Sequence, residues 1–162
     1  MQEVEVVNEK DEVIGRMSKA EAHKDGTLHR ISVVYVENDK GEIVIQQRAD
    51  GYLDHSAAGH VEIGETYEEA AKRELSEELG INGMQLQYVG HGQTRNERYP
   101  DRIVSHVFDI FKVKANPGEL QQDEVKGVYW ADPHKIAEDM KKEEGKFCQG
   151  FIESLKIYLA QK

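Results

Sequence analysis

The chain has 162 residues, 38% of them hydrophobic and 32% charged, with a formal net charge of −10. A chain of this length buries about two thirds of its unfolded surface in one core, so a single domain over residues 1–162 is expected. The negative balance excludes broad binding to nucleic-acid polymers or anionic membranes, which would repel it, and no run approaches the roughly 20 apolar residues of a membrane span.

The opening "MQEVEVVNEKDE" lacks the apolar region of an export signal, so a cytoplasmic location is expected. Residues 4–15 alternate apolar and polar positions around a polar turn, which predicts a hairpin. Ser18 and Glu21 have capping-box spacing and predict a short helix. "HRISVVYVEN" and "GEIVIQQR" predict a second hairpin, rich in Val and Ile. Residues 49–65, with Gly51, Gly59 and Gly64, read as loop with a short strand. A helix from Thr66 to Gly80 follows, then strands over 84–92, 102–115 and 125–132, with a loop between the first two. Asp132-Pro133 starts a helix reaching about Met140, and residues 147–161 form a last amphipathic helix. Cys148, the single cysteine, cannot form an internal disulfide or by itself a thiolate metal site. This order of elements predicts a mixed α/β sandwich.

The helix after Gly64 carries the main anomaly. Thr66 and Glu69 form a second capping box and Gly80 supplies the stop. At about 100° per residue, Glu74, Glu77 and Glu78 share one face of the last turns. Each carboxylate there opposes the helix dipole at about 0.3–1 kcal/mol, and each like-charge pair adds about 0.2–0.5 kcal/mol. Ala70 and Ala71 flank this face and suggest close packing, although the helix propensity of Ala accounts for them equally well. Two readings are open. A hard divalent cation sits among the three glutamates, or the face is solvated and Arg73 pairs with Glu69 and Glu77.

The stretch "GHVEIGETYEEAAKRELSEELGI" resembles the signature of the Nudix hydrolases, Gly-x5-Glu-x7-Arg-Glu-aliphatic-x-Glu-Glu-x-Gly-aliphatic. Gly59, Glu65, Arg73, Glu74, Leu75, Glu77, Glu78, Gly80 and Ile81 match its fixed positions. The resemblance implies a Nudix-type α/β/α sandwich with a mixed β-sheet. It implies hydrolysis of a diphosphate joined to another group, usually in a nucleoside diphosphate derivative, with Mg²⁺ or Mn²⁺. It also implies that Glu74, Glu77 and Glu78 hold metal with a ligand from the Gly59 carbonyl, and that Glu65 and Arg73 form a structural ion pair. Glu77 and Glu78 are candidate catalytic residues, and Glu77 can share the role of proton acceptor. Glu124, before the last strand where many relatives carry a base or ligand, is a further candidate, with a solvated loop acid as the alternative. The expected partner is a small-molecule diphosphate, and monomer and homodimer are both open. The rival from another class is a non-catalytic module that binds metal and diphosphate.

A narrower resemblance links "EAHKDGTLHRISVVYV" and "AAGHVEIGE" to isopentenyl diphosphate isomerase, a Nudix relative that binds metal through histidines in these regions. His23, His29 and His60 roughly match, but Ala57-Ala58 stand where its catalytic cysteine belongs, and its later glutamate pair is replaced by an aspartate and an isoleucine. Shared architecture without isomerase chemistry is the expectation. Arg95, Arg98 and Arg102 cluster in "QTRNERYPDR", and Arg48 ends "IVIQQR". Guanidinium groups grip phosphates bidentately, which makes Arg48, Arg95 and Arg98 candidates for substrate binding, against the alternative of a mixed-charge exposed loop.

Overall fold

The computed structural model describes residues 2–161. Strands β1 (Glu3–Val7) and β2 (Val13–Ser18) form the first hairpin, and helix α1 (Lys19–Asp25) opens on Ser18, whose side chain accepts from the Glu21 N–H. Gly26, at φ 70°, ends α1 in the left-handed conformation that Gly adopts without strain. The chain then enters β3 (His29–Glu37), the centre of a nine-stranded mixed sheet.

Strand β3 runs antiparallel to β6 (Ala57–His60) and parallel to β8 (Arg102–Lys114). Its near-continuous apolar run is what a strand buried on both faces looks like. Ile31, Val33 and Tyr35 join Phe151, Leu155 and Tyr158 on one face, while Val34 and Val36 join Ala71, Leu75 and Leu79 on the other. The first set lies against α4 (Gln149–Ala160) and the second against α2 (Tyr67–Leu79), which gives the α/β/α sandwich expected from the sequence. Helix α3 (Pro133–Lys142), capped by Asp132 onto the His134 N–H, adds Ile136 and Met140 to the α4 side.

Two elements differ from the sequence expectation. The expected hairpin of 29–48 is splayed: β3 and β4 (Ile43–Arg48) pair only at Glu37 and Ile43. Strand β4 instead runs beside β9 (Val125–Ala131) and the short β5 (Leu53–Asp54). Both β3 and β4 are buried, so each gains more by taking its own flanking neighbours than by pairing along its length with the other. The loop expected after residue 92 is also absent. Strand β7 extends from Gln87 to Tyr99 and forms a long hairpin with β8. It is an edge strand, where charged side chains are tolerated, and a register shift between Thr94 and Glu97 is absorbed by Asn96 at φ 52°.

A buried polar chain ties β5 to α4. Asp54 lies 2.7 Å from His55 Nδ1, His55 Nε2 lies 2.6 Å from Ser154 Oγ, and Ser154 Oγ lies 2.6 Å from the Tyr35 hydroxyl. The residue types suit a nucleophilic triad, but His55 is 3% exposed and Ser154 0%, so no reactant can reach them. The array is an internal brace.

Candidate active site

Helix α2 is set by its ends. The Thr66 side chain accepts from the Glu69 N–H, the Glu69 side chain accepts from the Thr66 N–H, and Gly80 at φ 65° stops the helix. Ala70 and Ala71 are both 0% exposed, so the helix lies close on the sheet beside its acidic face. No basic side chain occupies the last turn. Its carbonyls are met instead by the segment leading to β9: the Gly118 N–H donates to Leu79 O at 2.7 Å and the Gln121 N–H to Glu78 O at 3.1 Å. That segment carries Glu124, which is exposed and accepts from the Ala49 N–H through its carbonyl.

The three glutamates have different surroundings. Glu77 is mostly exposed, with Arg73 Nη1 3.5 Å away. Glu78 is 5% exposed, and one carboxylate oxygen accepts from Gln46 Nε2 at 2.9 Å and from the Ala58 N–H at 3.3 Å. Gln46 is held in turn by the Ser56 carbonyl at 3.1 Å. Glu74 rests against the backbone of β6: a Cβ added to Gly59 would lie 2.1 Å from its carboxyl carbon. Burial, followed by the hydrogen bond and charge of Glu74, pushes Glu78 well above the usual carboxylate range, and burial raises Glu74 as well. A pair of this kind shares a proton and does not ionise fully by itself.

Arg73 holds this region together. Its guanidinium donates to both oxygens of Glu65 at 2.9 and 3.0 Å, to Glu74 at 2.6 Å and to the His60 carbonyl at 2.9 Å. The hydrogen bond from Arg73, the largest influence on it, keeps the Glu65 carboxyl below its ordinary range. Glu69 is occupied by the cap, so the pairing of Arg73 with Glu69 considered in the solvated-face reading is not formed, while that with Glu77 is.

The arginine candidates do not converge on the glutamates. Arg48 pairs with Asp50 at 2.9 Å and Asp54 at 3.3 Å, and Arg95 with Glu9 at 3.2 Å. Arg98 lies on β7 opposite Ile103 and is exposed, and among the described residues no carboxylate is within ion-pair distance of it. Arg102 stacks over the Tyr99 ring at 4.4 Å.

On the other face of the sheet the structure gathers His23, His29 and His60 and adds His106, which sequence reasoning missed. Its signal was a histidine in the interior of a predicted strand, informative only once register is known. Asp101 is exposed and Ile103 apolar where the isomerase resemblance would have required glutamates. Burial holds all four imidazoles below the usual histidine value, His23 at about 4.

The NUDIX domain model matches residues 27–151. The chain belongs to the Nudix hydrolase family. It is 36% identical over 139 residues to the uncharacterized Nudix hydrolase YfcD of Shigella flexneri, covering 82% of this chain and 75% of that protein. It is 30% identical over 159 residues to an isopentenyl-diphosphate Delta-isomerase of Serratia proteamaculans, covering 93% and 88%. The crystal structure of DR0079 from Deinococcus radiodurans superposes with a TM-score of 0.76 at 22% identity, covering 96% of this chain and 98% of that one, which is a likeness of fold. The protein is thus an enzyme of a family of hydrolases acting on diphosphate bonds of small molecules, with a general need for divalent metal. Among the described residues no helix is long and apolar enough to cross a membrane.

Proposed function

We propose that this Nudix hydrolase cleaves the diphosphate of a nucleoside diphosphate linked to a second group, with Mg²⁺ or Mn²⁺ held by Glu74, Glu77, Glu78 and the Gly59 carbonyl. The observation that carries the reading is the pairing of half-buried Glu74 with buried Glu78, two carboxyls whose protonated form burial favours and which become a hard, oxygen-only ligand set when a cation takes the place of the proton. When bound, the divalent ion neutralises phosphoryl oxygens and activates water for attack. Gln46 and the Ala58 N–H fix the Glu78 carboxyl, and Arg73 fixes Glu74 while the Glu65 pair braces the preceding loop. Glu77, solvent-facing on the same helix face, is placed to take a proton from water, with Glu124 as the second acceptor from the docked segment. The reading includes a single domain over residues 1–162, a cytoplasmic location and a monomer or homodimer.

The test is a screen of nucleotide sugars, dinucleotides, nucleoside triphosphates, coenzyme A and isopentenyl diphosphate, with Mg²⁺, Mn²⁺ or chelator. Metal-dependent hydrolysis of at least one diphosphate is expected. Binding without hydrolysis under every metal would replace the enzyme by a binding module. Isopentenyl diphosphate should be returned unisomerised despite the similarity to an isomerase. Ala57 and Ala58 carry no thiol, and Cys148 is buried at the start of α4 with its thiol pushed up by burial.

Arg98 is the arginine best free to meet a phosphate, because Arg48 and Arg95 are already paired with carboxylates. Arg98→Ala should raise KM for the best substrate about 10-fold, the size of one lost charge-assisted hydrogen bond, and leave kcat and Tm nearly unchanged. An unchanged KM would return Arg98 to the solvated surface.

A further inference from the structure

Two buried oxygens without a hydrogen-bond partner lie where β7 passes beneath the first turn of α4. They are Thr94 Oγ1 and Glu97 Oε1, on residues that are 8% and 4% exposed. Strand register turns Thr94 to the α4 side of the sheet: it stands opposite His106, which stands opposite His29, in line with Ile31 and Val33. Glu97 follows the register shift and comes under Gly150, where an added Cβ would lie 3.8 Å from Glu97 Oε1. The other carboxyl oxygen receives the Tyr99 hydroxyl at a long 3.4 Å, and the Thr94 hydroxyl lies close to the carboxyl without bonding to it. Leaving buried oxygens this bare costs free energy that a ligand can recover.

Both side chains line a cleft of about 380 Å³, walled by Gln149, Ile152 and Glu153 of α4 and by Glu144 just before it. The volume suits a small molecule. The charge of the lining is negative: three glutamates face one arginine, and that arginine, Arg95, is already paired with Glu9 at 3.2 Å. Glu153 pairs with Lys156 at 3.0 Å, whereas among the described residues no basic side chain lies within ion-pair distance of Glu144. These carboxylates do not converge closely enough to hold a metal ion between them.

We propose that this cleft binds a short alkyl diamine or polyamine, one primary ammonium donating to Glu97 and Thr94, the methylenes lying along Ile152 and a second ammonium held towards Glu144. The site is separate from the glutamates of α2, which face the other side of the sheet. An ammonium offers three donors and no acceptor, which is what two bare oxygens require. Burial pushes Glu97 above the usual carboxylate range, so the empty site favours the protonated acid and an entering ammonium takes the place of that proton. Bound there, the amine would tie β7 to the start of α4.

The test titrates putrescine and spermidine into the full-length protein by calorimetry at physiological salt, with 1,4-butanediol as the uncharged probe of equal length. Saturable binding of one amine per chain is expected, together with a rise in Tm, because a ligand of the native state stabilises it; butanediol should do neither. Glu97→Gln keeps the shape of the protonated acid and should fold, yet weaken amine binding at least about 10-fold, the size of one lost charge-assisted hydrogen bond. Thr94→Val, also of equal shape, should weaken it about 5-fold. Glu78→Gln should leave it unchanged. Amine binding undiminished in Glu97→Gln would reduce it to general attraction by an acidic surface. That result, binding lost in Glu78→Gln, or no saturation by either amine below about 10 mM would each overturn the proposal.

Discussion

Glu78→Gln should reduce turnover at least about 100-fold, the loss expected when several kcal/mol of metal-assisted charge stabilisation disappear, while making the metal-free protein more stable at neutral and alkaline pH. Glutamine has the shape of the protonated acid and keeps the acceptor that Gln46 and the Ala58 N–H use. The sign follows from the direction of the shift. Glu78 is raised above its unfolded value, so the folded state holds a proton that the unfolded chain has already released. Its favourable contribution is complete below the ordinary carboxylate range and is lost as pH rises through the folded value, at up to about 1.4 kcal/mol per pH unit. Wild type and variant should therefore have similar Tm in acid and diverge as pH rises. Mg²⁺ should raise wild-type Tm and close the gap, and should raise the variant's less. Near wild-type turnover in Glu78→Gln would remove the catalytic assignment, and parallel pH profiles of Tm would remove the shared-proton account.

Gly59→Ala should be nearly as damaging to turnover, although it deletes no charge. The added methyl would lie 2.1 Å from the Glu74 carboxyl carbon and 2.4 Å from its Oε1, closer than real Cβ contacts come. Glu74 cannot stay where Arg73 and Glu78 hold it, so the ligand set opens. The neighbour that yields is the end of a flexible side chain, so the cost to folding should remain within the usual overpacking range of about 1–3 kcal/mol. Turnover should fall at least about 100-fold, and the rise of Tm with Mg²⁺ should largely vanish. Retained turnover with retained Mg²⁺ protection would show that Glu74 is not needed at that position.

Much of this was legible from neighbouring residues. Thr66, Glu69 and Gly80 bound α2 through hydrogen bonds within a few residues of one another, so their spacing alone places the ends. The nine matched positions from Gly59 to Ile81 carry the family. What was not legible depends on contacts between distant segments. The expected 29–48 hairpin splays because β6, β8 and β9 compete for the same strand edges, and no local pattern reveals those competitors. The segment after residue 92 looked like loop because it is a mixed-charge run containing Asn and Glu, which are depleted in strands, yet β8 pairs with it on both sides of a register shift at Thr94–Glu97.

The glutamates and histidines separate the two levels most clearly. Helical periodicity by itself puts Glu74, Glu77 and Glu78 on one face, because the rotation per residue is fixed by local geometry. It does not reveal that Glu78 is buried against Gln46 and Ala58 while Glu77 stays in water. Burial is the largest cause that raises Glu78 above the usual carboxylate range, and it acts through the local dielectric and not through spacing along the chain. His23, His29 and His60 stood out in the sequence by their resemblance to the isomerase, but His106 did not, and only the register of β3 with β6 and β8, under the cover of α1, brings all four together. Local hydrogen bonding determined the helix and its acidic face; the packing of distant segments decided the burial of Glu78 on that face and gathered the four histidines on the other side of the sheet.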